Sequence, residues 1–152
     1  MAEQTDIAVN ARKEWMGLLA RAPEAALMAL WNDFGDQPDF EWLRAPEVGG
    51  VMVRGRTGGT GAPFNLGEMT VTRCSLALSD GTVGHGYVQG RSKAKAEAAA
   101  LVDALMQTPA AETVREKVIG PLTQQMQAAK TDRAAKAAAT KVEFFTMVRG
   151  ED

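Results

Sequence analysis

The sequence predicts an α+β fold: a mainly antiparallel β-sheet packed against helices, with an exposed C-terminal helix and a terminal strand. Apolar residues recur at helical spacing on both sides of a central stretch, residues 40–90, in which they alternate with period two. Within that stretch Ser79-Asp80-Gly81-Thr82 is a hairpin signal, because Asp-Gly accepts the positive φ angles of a tight turn. A polar, alanine-rich run over 124–140 then gives way abruptly to β-favouring and aromatic residues.

In chain order, a first helix carries Trp15, Leu18 and Leu19, and a second carries Leu27, Leu30, Trp31 and Phe34 on its core face. Pro23 suits the first turn of the second helix, where its missing N–H is not needed, and Gly35 suits the left-handed residue that ends it. Strands follow over Phe40 to Arg44, Val51 to Arg56 and Glu68 to Leu78, and the Asp80-Gly81 turn leads into an antiparallel neighbour over Val83 to Gln89. Ser92 caps a helix with Ala94, Ala98, Leu101, Val102 and Leu105 on its apolar face. A shorter helix carrying Val114 and Val118 follows, with Thr108 able to cap it and Pro109 at its first position, and Gly120-Pro121 breaks it. Gln124 to Thr140 reads as an exposed helix. Lys141 to Arg149 reads as a strand that either closes the sheet of its own domain or pairs with another chain, and Phe144, Phe145, Met147 and Arg149 are its candidate partner contacts. These elements make one domain over residues 1–152: helices in 1–36, sheet in 40–90, helices in 92–140 and a terminal strand in 141–149.

Composition narrows the function classes. A length of 152 residues suits one domain of about 100–200 residues. Net charge of -2 gives no overall basic footprint for nucleic acid, so any anion site must be local. No run approaches the ~18 apolar residues of a membrane span, and the first residues lack the basic-then-apolar layout of a signal peptide, so the cytoplasm is the expected location. The single cysteine, Cys74, excludes an intrachain disulfide and any metal or iron–sulfur site needing several thiolates from this chain. No metal site is expected.

Glycines concentrate in the run Arg54-Gly55-Arg56-Thr57-Gly58-Gly59-Thr60-Gly61-Ala62-Pro63-Phe64-Asn65-Leu66-Gly67 between two strands. Glycines let backbone N–H groups converge on an anion, and alternation puts Arg54 and Arg56 on one strand face, with Arg73 a candidate third cation. Guanidinium groups match phosphoryl oxygens bidentately, so a triphosphate or a phosphonate suits such a site. The simpler reading, and from the residues alone the favoured one, is that these glycines serve turn geometry alone. The run lacks the Gly-Lys-Ser/Thr ending of a P-loop and precedes a strand rather than a helix, which argues against a self-sufficient NTPase. His85, the only histidine, and Cys74 both read as structural, Cys74 as a small packed residue. Gly90-Arg91-Ser92 offers an arginine beside a helix N-terminus, with plain capping as the simpler reading. Lys130, Arg133, Lys136 and Lys141 read as a solvated face or a dock for an acidic partner.

Three stretches carry a family resemblance: R-T-G-G-T-G-A-P-F-N-L-G-E-M-T-V-T-R-C, the junction Y-V-Q-G-R, and the ending K-V-E-F-F-T-M-V-R-G-E-D. In order and length the whole chain resembles the PhnG family, subunits of the bacterial carbon–phosphorus lyase core complex. The resemblance implies a hetero-oligomer with PhnH-, PhnI- and PhnJ-type subunits. It implies a part in displacing adenine from ATP by a phosphonate, giving a ribose 1-phosphonate 5-triphosphate, with the nucleosidase chemistry mainly on the PhnI-type partner. ATP is then a substrate of the complex, and this chain alone binds no cofactor and is not active by itself. The radical cleavage of the carbon–phosphorus bond, on an iron–sulfur cluster, belongs to the PhnJ-type subunit. Ser92 and Lys95 stand where the family more usually has an aspartate and a histidine, so no catalytic residue is carried over to that junction. The positions carried over as candidates for ligand or subunit contact are Arg56, Gly58, Gly59, Thr60, Gly61, Asn65 and Arg73. A purely structural subunit of the same complex is the alternative.

Overall fold

Apolar side chains that alternate along a strand need a covering layer, and the central sheet obtains one on one face only. The computed structural model describes the backbone of residues 2–149 and the side chains of residues 4–141. Helices α1 (Ala2–Arg21) and α2 (Glu24–Phe34) precede an antiparallel sheet of order β1-β2-β3, formed by β1 (Phe40–Arg56), β2 (Pro63–Leu78) and β3 (Val83–Gln89). Helix α3 (Lys93–Leu105), a short α4 (Ala111–Val114), a π-helical turn (Arg115–Ile119) and α5 (Gly120–Arg149) complete the chain.

Helix α3 packs on the sheet face that carries Thr72, Cys74, Leu76, Gly84, Gly86 and Val88. The approach is close because β3 presents glycine there: a Cβ at Gly84 or Gly86 would collide with the carbonyls of Ala100 and Ala96. Small residues on both sides let backbone meet backbone, and the core closes around Leu19, Leu27, Trp31, Leu76, Val102 and Leu122. Helix α1 lies along β3, to which it is tied through Asp103 of α3.

The expected hairpin turn, the α3 cap and the end of α2 are in place, whereas Thr108 and Pro109 precede the next helix, α4, which starts only at Ala111. Asp80 Oδ1 accepts from Thr82 N–H at 2.8 Å, Gly81 takes φ 90°, and Ser92 Oγ accepts from Lys95 N–H at 3.0 Å. Gly35 ends α2 with φ 73°.

Four local expectations are corrected. The strands expected over 40–44 and 51–56 are one strand, β1, because Ala45-Pro46 is absorbed as an irregularity between Arg44 and Glu47 in the pairing with β2, where a missing N–H breaks no ladder bond. The strand expected from Glu68 starts at Pro63, since the ladder runs on to Arg56 opposite Pro63. Gly120-Pro121 does not break the helix: Pro121 falls in the first turn of α5, directly after the π-turn, where its missing N–H is tolerated. The terminal strand over 141–149 is instead the end of α5. A helix already formed over the preceding twenty residues extends by propagation alone, and aromatic and β-branched residues cost it only about 0.5–0.7 kcal/mol each against alanine.

Candidate functional site

Strands β1 and β2 continue past the end of β3, whose pairing with β2 stops at Val71 opposite Gln89. Beyond that rung β1 and β2 form a two-stranded ribbon, and the glycine-rich run is its tip. The tip is a turn of 3-10 type over Thr57–Gly59, with Gly58 at φ 62° and Gly59 at φ 82°, angles that a side chain would strain. The N–H groups of Thr60 and Gly61 both point at the Thr57 carbonyl, the latter at 2.8 Å. Those amides therefore close the turn, and the glycines at Gly58, Gly59 and Gly61 have a conformational reason to be there.

Side chains, rather than these amides, are what the ribbon tip leaves free to meet an anion. Arg54 pairs with Asn65 and Arg56 with Pro63, so Arg54, Arg56 and Asn65 share one face at the tip, all exposed. Cross-strand and next-but-one neighbours on one face lie about 5–7 Å apart. Neither arginine forms an ion pair among the described residues. Two unpaired guanidinium groups and an amide at this spacing match the oxygens of a polyphosphate.

Arg73 is not part of that cluster. It pairs with Glu47 and Tyr87, ten residues along β2 from Pro63, which at about 3.3 Å per residue is on the order of 30 Å away. It also faces the other way. The ladder passes from Val53 opposite Gly67 to Arg54 opposite Asn65, leaving Leu66 as an extra residue that reverses the alternation.

Of the remaining sequence candidates, Cys74, Ser92 and Lys95 are held in structural contacts. Cys74 Sγ donates to the Ala96 carbonyl at 3.3 Å, and burial pushes the thiol up to about 11, which removes it as a nucleophile near neutral pH. His85 is exposed on the sheet face away from α3, and its backbone N–H donates to Asp103 at 2.8 Å. At the Gly90-Arg91-Ser92 junction, Ser92 Oγ donates to Glu24 Oε1 at 2.7 Å, so a carboxylate already stands beside the start of α3. Lys95 is only 4% exposed, and its Nζ donates to the carbonyls of Ala20 (3.2 Å) and Gln89 (3.4 Å). It fastens the C-terminal turn of α1 to the end of β3. Burial pulls its pKa down, partly offset by the charge of Glu24. Lys130 and Arg133 line a groove with Arg21 between the α1–α2 corner and α5. Phe144, Phe145, Met147 and Arg149 lie on the last turns of α5, and their side chains fall outside the described residues. Among the described residues, no helix is long and apolar enough to cross a membrane.

Sequence reasoning missed Asp103. This fully buried carboxylate accepts from Arg12 Nε (3.1 Å), Arg12 Nη2 (2.8 Å), Trp15 Nε1 (2.8 Å) and His85 N–H (2.8 Å), joining α1, α3 and β3. The same hydrogen bonds raise the Arg12 pKa and keep its guanidinium charged. The one available signal was an acid inside the apolar run Ala98 to Leu105.

A ribbon with unpaired arginines on a closed α+β body is a feature that comparison with known proteins can place. Residues 10–150 match the family described as "Phosphonate metabolism protein PhnG". The chain belongs to the PhnG family. A relative from Rhizobium meliloti (strain 1021), "Alpha-D-ribose 1-methylphosphonate 5-triphosphate synthase subunit PhnG", is 47% identical over 147 residues, covering 97% of this chain and 94% of its own length. The family match takes in the ribbon, its tip and the whole of α3, so the PhnG assignment covers every residue of the candidate site.

Proposed function

We propose that this chain is a subunit of a hetero-oligomeric transferase that displaces adenine from ATP with a phosphonate. The carrying observation is the pair of unpaired arginines, Arg54 and Arg56, with Asn65 at the tip of a projecting ribbon. The product in the relative's name keeps a triphosphate on ribose C5 and carries methylphosphonate on C1. With ATP as donor, the C1–N9 bond breaks, a phosphonate oxygen bonds to C1, and adenine leaves with a proton at the ring nitrogen that held the sugar. The transition state is oxocarbenium-like, and the triphosphate must be held while C1 changes partner. Arg54, Arg56 and Asn65 hold triphosphate oxygens in this reading. The turn residues Gly58, Gly59, Thr60 and Gly61 set the tip's shape. Arg73 serves at subunit contact.

Residues 52–67 at the ribbon tip include no carboxylate or histidine to protonate the leaving purine, and the side chain of Glu68, next along β2, lies over Gly50, away from the tip. Acid–base groups therefore come from a partner chain, and this chain is inactive alone. We assign the partners to the PhnH-, PhnI- and PhnJ-type subunits, with the nucleosidase chemistry on the PhnI type and the iron–sulfur chemistry on the PhnJ type. ATP is a substrate of the assembly, and the assembly works in the cytoplasm. The second reading, a purely structural subunit, is favoured by one observation: the tip amides of Thr60 and Gly61 already close on Thr57.

The test is Arg54→Ala/Arg56→Ala in the intact complex, assayed for methylphosphonate-dependent release of adenine from ATP. Assembly with a rise in KM for ATP or a loss of turnover of at least tenfold supports ligand contact. Assembly with unchanged kinetics refutes it in favour of the structural reading.

A further inference from the structure

The ribbon has a second face, and it is apolar. Pairing places Val51 opposite Met69, Val53 opposite Gly67 and Gly55 opposite Phe64. Leu66 joins this face, since a Cβ at Gly55 would meet the Leu66 side chain. Alternation through Val51-Met52-Val53-Arg54-Gly55-Arg56 is the pattern of a strand with one buried face, and the half-buried and exposed residues alternate with it. At the base of the ribbon Val71, on the same face, is buried, but among the described residues no helix covers the face further out. Among the described residues, α3 is the one helix in more than slight contact with β1 and β2, and it lies on the opposite face of the sheet. Phe64 remains 44% exposed and Leu66 62% exposed, and neither belongs to the core cluster.

We infer that this apolar ribbon face docks against a wall of a cleft in another subunit of the synthase, so that the ribbon is inserted tip first. The inference rests on the reading of the chain as a complex subunit and adds the surface that makes the contact. The exposed apolar area of the stripe is on the order of 300 Å², given ~150–250 Å² for a whole aromatic side chain. Two copies meeting through it would bury about 600 Å², short of the ~1,000 Å² of a specific interface. A cleft that also encloses the tip reaches that size. Charge points the same way: the tip carries Arg54 and Arg56 and no carboxylate, so the surroundings it fits are anionic, supplied by cleft carboxylates or by a phosphate-bearing ligand held there. Docking by the apolar face then aims the arginine face into the cleft. A ribbon of two strands is marginally stable by itself, and burial of its apolar face supplies what its own body does not.

The experiment is maleimide labelling of Leu66→Cys and Phe64→Cys chains, free and co-purified with the other synthase subunits, with Asp80→Cys at the β2–β3 turn as control. The labelled peptide of this chain is read by mass, so cysteines elsewhere do not interfere. Labelling at positions 64 and 66 at least tenfold slower in the complex, with position 80 unchanged, supports docking. Loss of co-purification by the position 64 and 66 variants, with an unchanged thermal midpoint for the free chain, supports it too. A complex that forms with positions 64 and 66 labelled as fast as in the free chain overturns the docking while leaving the subunit reading intact. Failure of the unaltered chain to join any complex overturns both. Protection already present in the isolated chain, with the mass of a dimer, assigns the face to a second copy and overturns the heteromeric cleft.

Discussion

Replacing Asp103 with alanine should cost this protein about 3–5 kcal/mol of stability. The carboxylate is fully buried and accepts from Trp15 Nε1 and the His85 amide as well as from both forks of Arg12. Truncation leaves the indole and amide N–H groups without their acceptor, each worth about 1–3 kcal/mol when buried. Arg12 adds little, because its side chain is 33% exposed and can turn to water. The sum agrees with the ~3–5 kcal/mol for breaking a buried ion pair by removing one partner. With roughly 2–4 °C per kcal/mol for a chain this size, the thermal midpoint falls by about 6–20 °C. The assay is urea unfolding followed by far-ultraviolet circular dichroism, with the denaturant slope checked for constancy between variants. Trp15→Phe, which removes one donor and keeps the ring, should cost about 1 kcal/mol by the same measure. A loss below about 1 kcal/mol for Asp103→Ala would refute the claim that this carboxylate holds α1 and β3 to α3.

Other outcomes follow from the close packing of α3. Gly86→Ala drives a methyl into the Ala96 carbonyl and the Cys74 sulfur, and should lower stability by about 1–3 kcal/mol in the same urea assay, whereas Gly49→Ala, with no atom within 4 Å of the added Cβ, should change it far less. The Cys74 thiol, raised from 9.0 to about 11, should react with iodoacetamide at pH 8 at least ~100-fold more slowly in the native chain than in urea; equal rates would place it at the surface. For Lys95 the folded pKa lies below the ordinary 10.5, so the unfolded state binds more protons between those values and this group's contribution to stability rises with pH through that window. Unfolding free energies across alkaline pH for the native chain and Lys95→Met should differ by a slope of that sign, and the opposite sign refutes a desolvated ammonium.

The sheet, the Asp80-Gly81 turn and the α3 cap were legible because each rests on residues adjacent in sequence. Asp103 was not, since a buried acid declares its role only through Arg12 and Trp15, some ninety residues away. Arg73 was misplaced for a different reason. Strict alternation from Pro63 puts residue 73 on the face shared by Arg56, and the extra residue at Leu66 reverses the parity. No local pattern announces a bulge between two apolar runs. Ala45-Pro46 misled in the same way, as a break that the ladder absorbs, and residues 141–149 misled because propensity was weighed without the helix already running into them.

The body and the ribbon differ in how their demands are met. In the body, no buried side-chain polar atom among the described residues lacks a partner, and its buried ionisable groups, Lys95 and Asp103, are both tied to backbone or to α1. A closed body of this kind has little left over for ligand chemistry. The ribbon is the opposite case: among the described residues its arginines form no ion pair, and Phe64 and Leu66 of its apolar stripe stay exposed. Two unmet demands on opposite faces of one thin element are met together by a cleft that is apolar on one wall and anionic on the other. On this proposal, the acid–base groups of the synthase stand in the cleft rather than on this chain. If the ribbon is shortened by deleting 54–65 with a two-residue turn in its place, the body should unfold at an unchanged urea midpoint while adenine release by the complex is lost. A body that unfolds with its ribbon would mean that the two are not separable, and the division of labour drawn from their contacts would be wrong.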